Sequence, residues 1–204
     1  MEAVIGVGGA GHRGYVGGKW DELGRLQFDF MVARGLQPEH VFLDVACGSL
    51  RGGVHFIRYL DEGNNLGIEK ERTLVRRGLS RELPRAVRKE KRPEFVISDS
   101  FEFERFSKRP RFSLAQSLFT HLVPEQIELC LANLRAFVPA GHEFYATFSA
   151  GASAANPEAS DDFKRFAYSQ EELSMLAQRT DWSSDYVGDW GHPRGQLMMR
   201  FSVP

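Results

Sequence analysis

The sequence predicts an α/β domain built on a seven-stranded, mostly parallel sheet with helices on both faces and an antiparallel last strand. Three observations predict it. Short apolar runs of strand length alternate with amphipathic segments of helical period, and strands alternating with helices put helices on both faces of one sheet. Turn residues separate the segments. The last two strand segments are joined by a glycine-rich loop with no crossover helix, so the final strand must run against its neighbours.

Taken in order, residues 1–18 are dominated by glycine and read as an irregular arm able to close over a site. From Trp20 the apolar residues Leu23, Leu26, Phe30 and Met31 recur at three and four, one face of a helix ending near Gly35. Val41 to Val45, between Pro38 and Gly48, reads as a buried strand. A helix follows from Gly53 to Leu60, then a strand from Asn65 to Glu69 after the turn at Gly63 and Asn64. Thr73 to Lys91 is helical but broken at Pro84, and Phe95 to Ser98 is the third strand. Phe112 to Gln116 is the fourth. Pro124 suits a first helical position, and Ile127, Cys130, Leu131, Leu134 and Phe137 make the buried stripe behind it. Glu143 to Ser149 is the fifth strand, followed by a small-residue linker, 150–159. Ser169 with Glu172 forms a capping box opening a helix through Gln178. Trp182 to Val187 and Leu197 to Val203 are the last two strands.

The length of 204 residues fits a single domain, with 1–36 as arm and helix capping the site and 37–204 as the ligand-binding core. Hydrophobic residues at 42% and charged residues at 26% are ordinary for a globular chain, and a net charge of −1 supplies no global attraction for nucleic acid or anionic membrane. No run is apolar enough to span a membrane, and the opening residues lack the pattern of a signal peptide, so a cytoplasmic protein is expected. Cys47 and Cys130 have no partners at zinc-binding spacing; they read as reduced, buried thiols, and no metal is expected.

In an open parallel sheet, ligands bind beyond the carboxyl ends of the strands. The first strand runs from Leu43-Asp44-Val45 into Ala46-Cys47-Gly48-Ser49, small residues that let backbone approach a ligand. The second ends in Glu69, 21 residues after Gly48, the spacing at which a carboxylate accepts from both ribose hydroxyls. The third ends in Asp99, Ser100 and Phe101: an acid to accept from an exocyclic amine and a ring to cover a base.

These spacings resemble class I S-adenosylmethionine-dependent methyltransferases over nearly the whole chain. The D-x-G-x-G turn matches Asp44 to Gly48, the ribose acid Glu69, the adenine acid Asp99, and Pro139-Ala140-Gly141 the P-x-G before the fifth strand. Ala115 to Leu122 looks like a bacterial group carrying an S-x-F-T-H-L signature. The arm at 11–18 and the Gly188-Asp189-Trp190-Gly191-His192-Pro193-Arg194-Gly195 loop are similar to the ends of that group. The resemblance implies a Rossmann-like methyltransferase domain and methyl transfer to a small-molecule acceptor. It implies S-adenosylmethionine as cofactor, with S-adenosylhomocysteine as product, held by Asp44, Ala46, Gly48, Ser49, Glu69, Lys70, Asp99, Ser100, Phe101 and Gln116. Two positions depart from the pattern. Ala46 stands where the first glycine is usual and Leu50 where a third often sits, which implies weaker or slightly displaced cofactor binding.

Topology brings Ser117 and His121 toward the acceptor, with Trp190, His192 and Arg194 joining them if the sixth strand is parallel; His12 and Tyr15 of the arm cover the site. His121 and His192 are the candidate bases, needed only if the nucleophile must lose a proton. His121 fits equally a histidine bonded to backbone at a helix start, and Arg51 fits a contact to the cofactor carboxylate or to protein. No N-P-P-Y or D-P-P-Y follows the fourth strand, which argues against amino groups of bases or glutamine as acceptors. From Lys70 to Arg92 there are ten Lys or Arg against three Glu, a solvated helical face before it is a dock for an anionic partner. Two rival functions remain: a non-catalytic binding module for the same cofactor, and an NAD(P)-dependent oxidoreductase using the G-x-G-x-x-G of residues 6–11. That glycine motif lacks the helix and the strand-end acid that dinucleotide binding requires. The pattern leaves the oligomeric state open.

Overall fold

The computed structural model describes residues 11–203, so the glycine motif and its dinucleotide reading lie, apart from Gly11, outside the described residues. The strands are Phe42–Val45 (β1), Asn65–Glu69 (β2), Glu94–Ile97 (β3), Phe112–Ala115 (β4), Glu143–Phe148 (β5), Ser183–Asp189 (β6) and Leu197–Ser202 (β7). The helices are Gly11–Tyr15 (α1), Trp20–Ala33 (α2), Gly53–Tyr59 (α3), Arg72–Glu82 (α4), Arg85–Lys91 (α5), Pro124–Phe137 (α6) and Gln170–Arg179 (α7).

The strands form one sheet in the order β3-β2-β1-β4-β5-β7-β6. β1 pairs in parallel with β2 and β4, while β7 is antiparallel to both β5 and β6. β6 is therefore parallel to the first five strands, and the hairpin leaving it reaches the same rim as their carboxyl ends. This is the predicted α/β class with its antiparallel last strand.

Side chains alternate across the pleat and fill two layers. Leu43, Val45, Phe144, Ala146 and Phe201 pack with α6 and α7 on one face. Phe42, Phe112, Tyr145 and Met198 pack with α2 and α3 on the other. Local chemistry sets the helix ends. Ser169 Oγ accepts from the Glu172 amide at 3.1 Å while the Glu172 carboxylate accepts from the Ser169 amide at 2.7 Å, the reciprocal cap read from the sequence. Pro84, extended at ψ 144°, separates α4 from α5. Cys47 and Cys130 are free and buried. The arm departs from the expectation of irregular chain: Gly11–Tyr15 winds into one short helix because side chains from elsewhere hold it. Among the described residues no helix is long and apolar enough to cross a membrane.

Candidate functional site

The carboxyl ends of the first five strands and the β6–β7 hairpin surround one cavity of about 650 Å³. The turn after β1 forms its floor. Ala46, Gly48 and Leu50 all take left-handed backbone, with φ of 58°, 54° and 69°, which turns the chain sharply. Ala46 and Leu50, the two departures from the glycine pattern, thus hold the conformation glycine favours while carrying side chains. Leu50 offsets its strain by complete burial. Gly48 has no such freedom: a Cβ there would come within 2.8 Å of Val16 Cγ1 in the arm.

Glu69 joins the first two strand ends. One carboxylate oxygen accepts from the Gly48 amide at 2.8 Å and the other from the Glu71 amide at 3.0 Å. A carboxylate has about four lone-pair directions, so acceptor capacity remains toward the cavity. Burial pushes the Glu69 carboxyl up, and the backbone amides pull it back. Asp44, at the end of β1, is pushed up to about 7 by burial with the Glu69 charge adding and Arg51 opposing. Asp99 and Phe101 line the cavity from the β3 end, and Phe101 stacks on Phe103 with ring centres 6.1 Å apart.

Arg51 closes the opposite wall. Its Nη1 donates to the carbonyls of Val16 at 2.7 Å and Gly18 at 3.1 Å, and its Nη2 donates to Gln116 Oε1. Burial, then the neighbouring Arg194 charge, lowers its pKa to about 10, so it stays protonated at neutral pH. Arg51 Nε and the nearby Gln27 Nε2 are buried donors without a protein partner, both on residues that line the cavity.

Of the residues singled out from the sequence, Asp44, Ala46, Gly48, Glu69, Lys70, Asp99, Phe101, Gln116, Ser117, His121, Tyr15 and Arg194 line this cavity. Lys70 reaches across it to Asp162 at 2.6 Å. His121 Nδ1 lies 2.8 Å from the Lys164 carbonyl, which can only accept; Nδ1 therefore carries the proton and Nε2 is left as the basic nitrogen.

Five residues fall elsewhere. His12 turns away to Glu82, 2.6 Å from its Nε2. Ser49 is fully buried and donates to the His12 carbonyl. Ser100 faces outward beside Ser98. Trp190 is packed in the core against Phe30, its Nε1 donating to the Gln196 carbonyl, because the irregular pairing at Tyr186 and Gly188 shifts the strand's parity before it. His192 stands behind Gln116, with Nδ1 accepting from the amides of Arg194 and Gln196, each at 3.3 Å. Burial, then the charges of Arg51 and Arg194, push it down to about 4 and keep it neutral.

The structure adds lining residues that carried no sequence signal: Gln27, Ser149, Ser160, Asp162, Arg165 and Gln196. Those from 149 to 165 lie in a loop without period, where only contact with the rim marks them. Among the described residues no group of three His, Cys, Asp or Glu side chains is placed to hold a metal ion.

No family model and no curated protein matches the chain. Solved structures do. Magnesium protoporphyrin IX methyltransferase from Synechocystis PCC 6803 with bound S-adenosylmethionine is similar at 11% identity and TM-score 0.66, over 89% of this chain and 81% of that one. The glycopeptide N-methyltransferase MtfA in complex with S-adenosylmethionine is similar at 13% identity and TM-score 0.68, over 89% and 94%. A TehB-like methyltransferase from Corynebacterium glutamicum is similar at 15% identity and TM-score 0.64, over 94% and 92%. The fold is the Rossmann-like methyltransferase fold.

Proposed function

We propose that this protein is an S-adenosylmethionine-dependent methyltransferase acting on a small-molecule acceptor. One observation carries the reading: Gly48, Glu69 and Asp99, from the ends of three adjacent strands, line a single cavity, with the Glu69 carboxylate bonded to the Gly48 amide. Solved structures of the same fold that hold S-adenosylmethionine support it. The near-neutral net charge supplies no global attraction for nucleic acid, which favours a small acceptor.

The residues fit the cofactor. Glu69, with lone pairs left, would accept from the ribose hydroxyls, and Asp99 and Phe101 would hold the adenine. The unpartnered donors of Arg51 and Gln27 suit the carboxylate of the amino-acid tail, and the ionised form of Asp44 suits its ammonium. When bound, S-adenosylmethionine supplies the methyl carbon and its own thioether leaving group. The protein's work is to align the acceptor and exclude water, with Tyr15, Val16 and Gly17 of the arm covering the site. His121 accepts the proton of a hydroxyl or ammonium acceptor at Nε2, since the Lys164 carbonyl holds the other nitrogen protonated. His192, held neutral behind Gln116, positions that amide. Of the described residues, 11–36 cap the site and 37–203 form the core beneath.

Calorimetry tests the reading. S-adenosylmethionine and S-adenosylhomocysteine bind and NAD does not; Glu69→Ala weakens S-adenosylhomocysteine by at least about tenfold, the cost of one or more charge-assisted hydrogen bonds. In a methyl-label screen of metabolite extract, His121→Ala lowers turnover and leaves S-adenosylhomocysteine affinity unchanged. Binding of NAD in place of S-adenosylmethionine overturns the proposal. Tight cofactor binding with no transfer to any fraction makes the protein a binding module instead.

A further inference from the structure

We infer that the methyl acceptor is a small molecule bearing a carboxylate or phosphate group, and that Arg165 and Arg194 recognise it; the inference rests on the methyltransferase reading above. The sheet order divides the rim. β3, β2 and β1 bring Asp99, Glu69 and Gly48 to one half, which the nucleoside takes. β4, β5 and the hairpin before β7 supply the other half, which is left for the acceptor.

The floor of that second half is polar but internally satisfied. Gln196 Oε1 accepts from Ser117 Oγ at 3.0 Å and from Thr147 Oγ1 at 2.9 Å. Asp162, an acid lining the same cavity, is engaged by Lys70 at 2.6 Å. Two guanidiniums differ. Arg165 lines the cavity just beyond the tip of β5, where its Nε donates to Ser149 Oγ at 3.0 Å, and among the described residues neither Nη has a partner and no acid pairs with it. Arg194, on the hairpin, donates one Nη to the Gly17 carbonyl and likewise meets no acid among the described residues. A guanidinium presents five donors in a planar fork; in each residue most of that fork is unused.

Arg165 and Arg194 are both exposed residues at the cavity, and neither has an ion-pair partner among the described residues. Arg51 is committed to the arm, to Gln116 and, in the proposed function, to the cofactor tail. A two-oxygen anion satisfies the geometry of a free fork and the charge together, which a neutral or cationic acceptor does not. Once the nucleoside and the arm shield the cavity from water, such a pairing strengthens.

The test uses the full chain saturated with S-adenosylhomocysteine and titrated calorimetrically with benzoate, phenyl phosphate and the neutral benzamide. At least one anion binds about tenfold or more tightly than benzamide, the difference of a charge-assisted hydrogen bond. Arg165→Gln removes most of that preference, Arg165→Lys restores part of it, and S-adenosylhomocysteine affinity stays within about twofold in both, since only the acceptor half has changed. Which anion wins separates carboxylate from phosphate. Equal binding of benzamide, binding of neither anion, or anion binding indifferent to both Arg165→Gln and Arg194→Gln overturns the inference. Failure of S-adenosylhomocysteine to bind the unaltered chain overturns the methyltransferase reading itself.

Discussion

Asp44 carries a conflict that its neighbours only partly relieve. Burial, with Glu69 adding, lifts its carboxyl from 3.8 to about 7. Between those two values the folded chain keeps a proton that the unfolded chain has released, so this carboxyl's contribution to stability falls as pH rises through that window. Replacing it by Asn removes the charge that folding must desolvate. In thermal melts of the ligand-free protein, Asp44→Asn is expected to raise Tm by several degrees at pH 8 and by less than half as much at pH 5, while weakening S-adenosylmethionine binding. An equal effect at both pH values would mean that Asp44 does not hold the proton. The turn beside it shows a second conflict. Ala46 and Leu50 hold left-handed backbone with a Cβ, at a cost of about 1–2 kcal/mol each. That the same dihedrals persist without glycine means the site, not local preference, dictates the backbone.

The arm and α4 are the elements whose contact governs access. α1 is too short to be stable alone; Glu82, at the end of α4, accepts from Arg13 through both oxygens at 2.9 and 2.6 Å and meets His12, while Ser49 donates to the His12 carbonyl. Hydrogen bonding to Arg13 holds the Glu82 carboxyl below its usual range. α4 in turn lies hard against the turn after β1, for a Cβ on Gly78 would overlap the Ser49 carbonyl. The cations of the run from Lys70 to Arg92 leave that contact alone; Arg72, Arg76, Arg81, Arg85 and Lys89 are exposed. Glu82→Ala should therefore loosen α1 without disturbing the sheet, while Arg51 still holds the Val16 and Gly18 carbonyls. Stopped-flow displacement is expected to show faster S-adenosylhomocysteine dissociation, by about fivefold or more for loss of a bidentate ion pair, with Tm of the ligand-free protein nearly unchanged. A dissociation rate equal to that of the unaltered chain would mean that the arm does not cover the ligand.

In the proposed function one ligand spans the tips of several strands and ties the molecule together. Because it contacts only the folded arrangement, S-adenosylhomocysteine at one hundred times its Kd adds about 2.7 kcal/mol, a rise in Tm of roughly 5–10 °C for a domain of this size; scanning calorimetry at several ligand concentrations checks the logarithmic dependence. Apart from α1, which forms where an irregular arm is read, strands and helices are legible to within a residue or two, since period and turn chemistry are local: Asn65–Glu69 and the Ser169 cap stand where they are read. Because parallel strands end on one rim, Gly48, Glu69 and Asp99 could be named together before their distances were known. Pairings across long sequence separations had no such signature. His12 chooses Glu82, 70 residues away, over the cavity; Trp190 enters the core after a bulge reverses its parity; Arg165 reaches Ser149 from a loop without period. Pattern speaks for forces between neighbours in the chain, whereas the direction of a side chain at the rim is decided by whichever distant surface the packed sheet brings within a few ångströms of it.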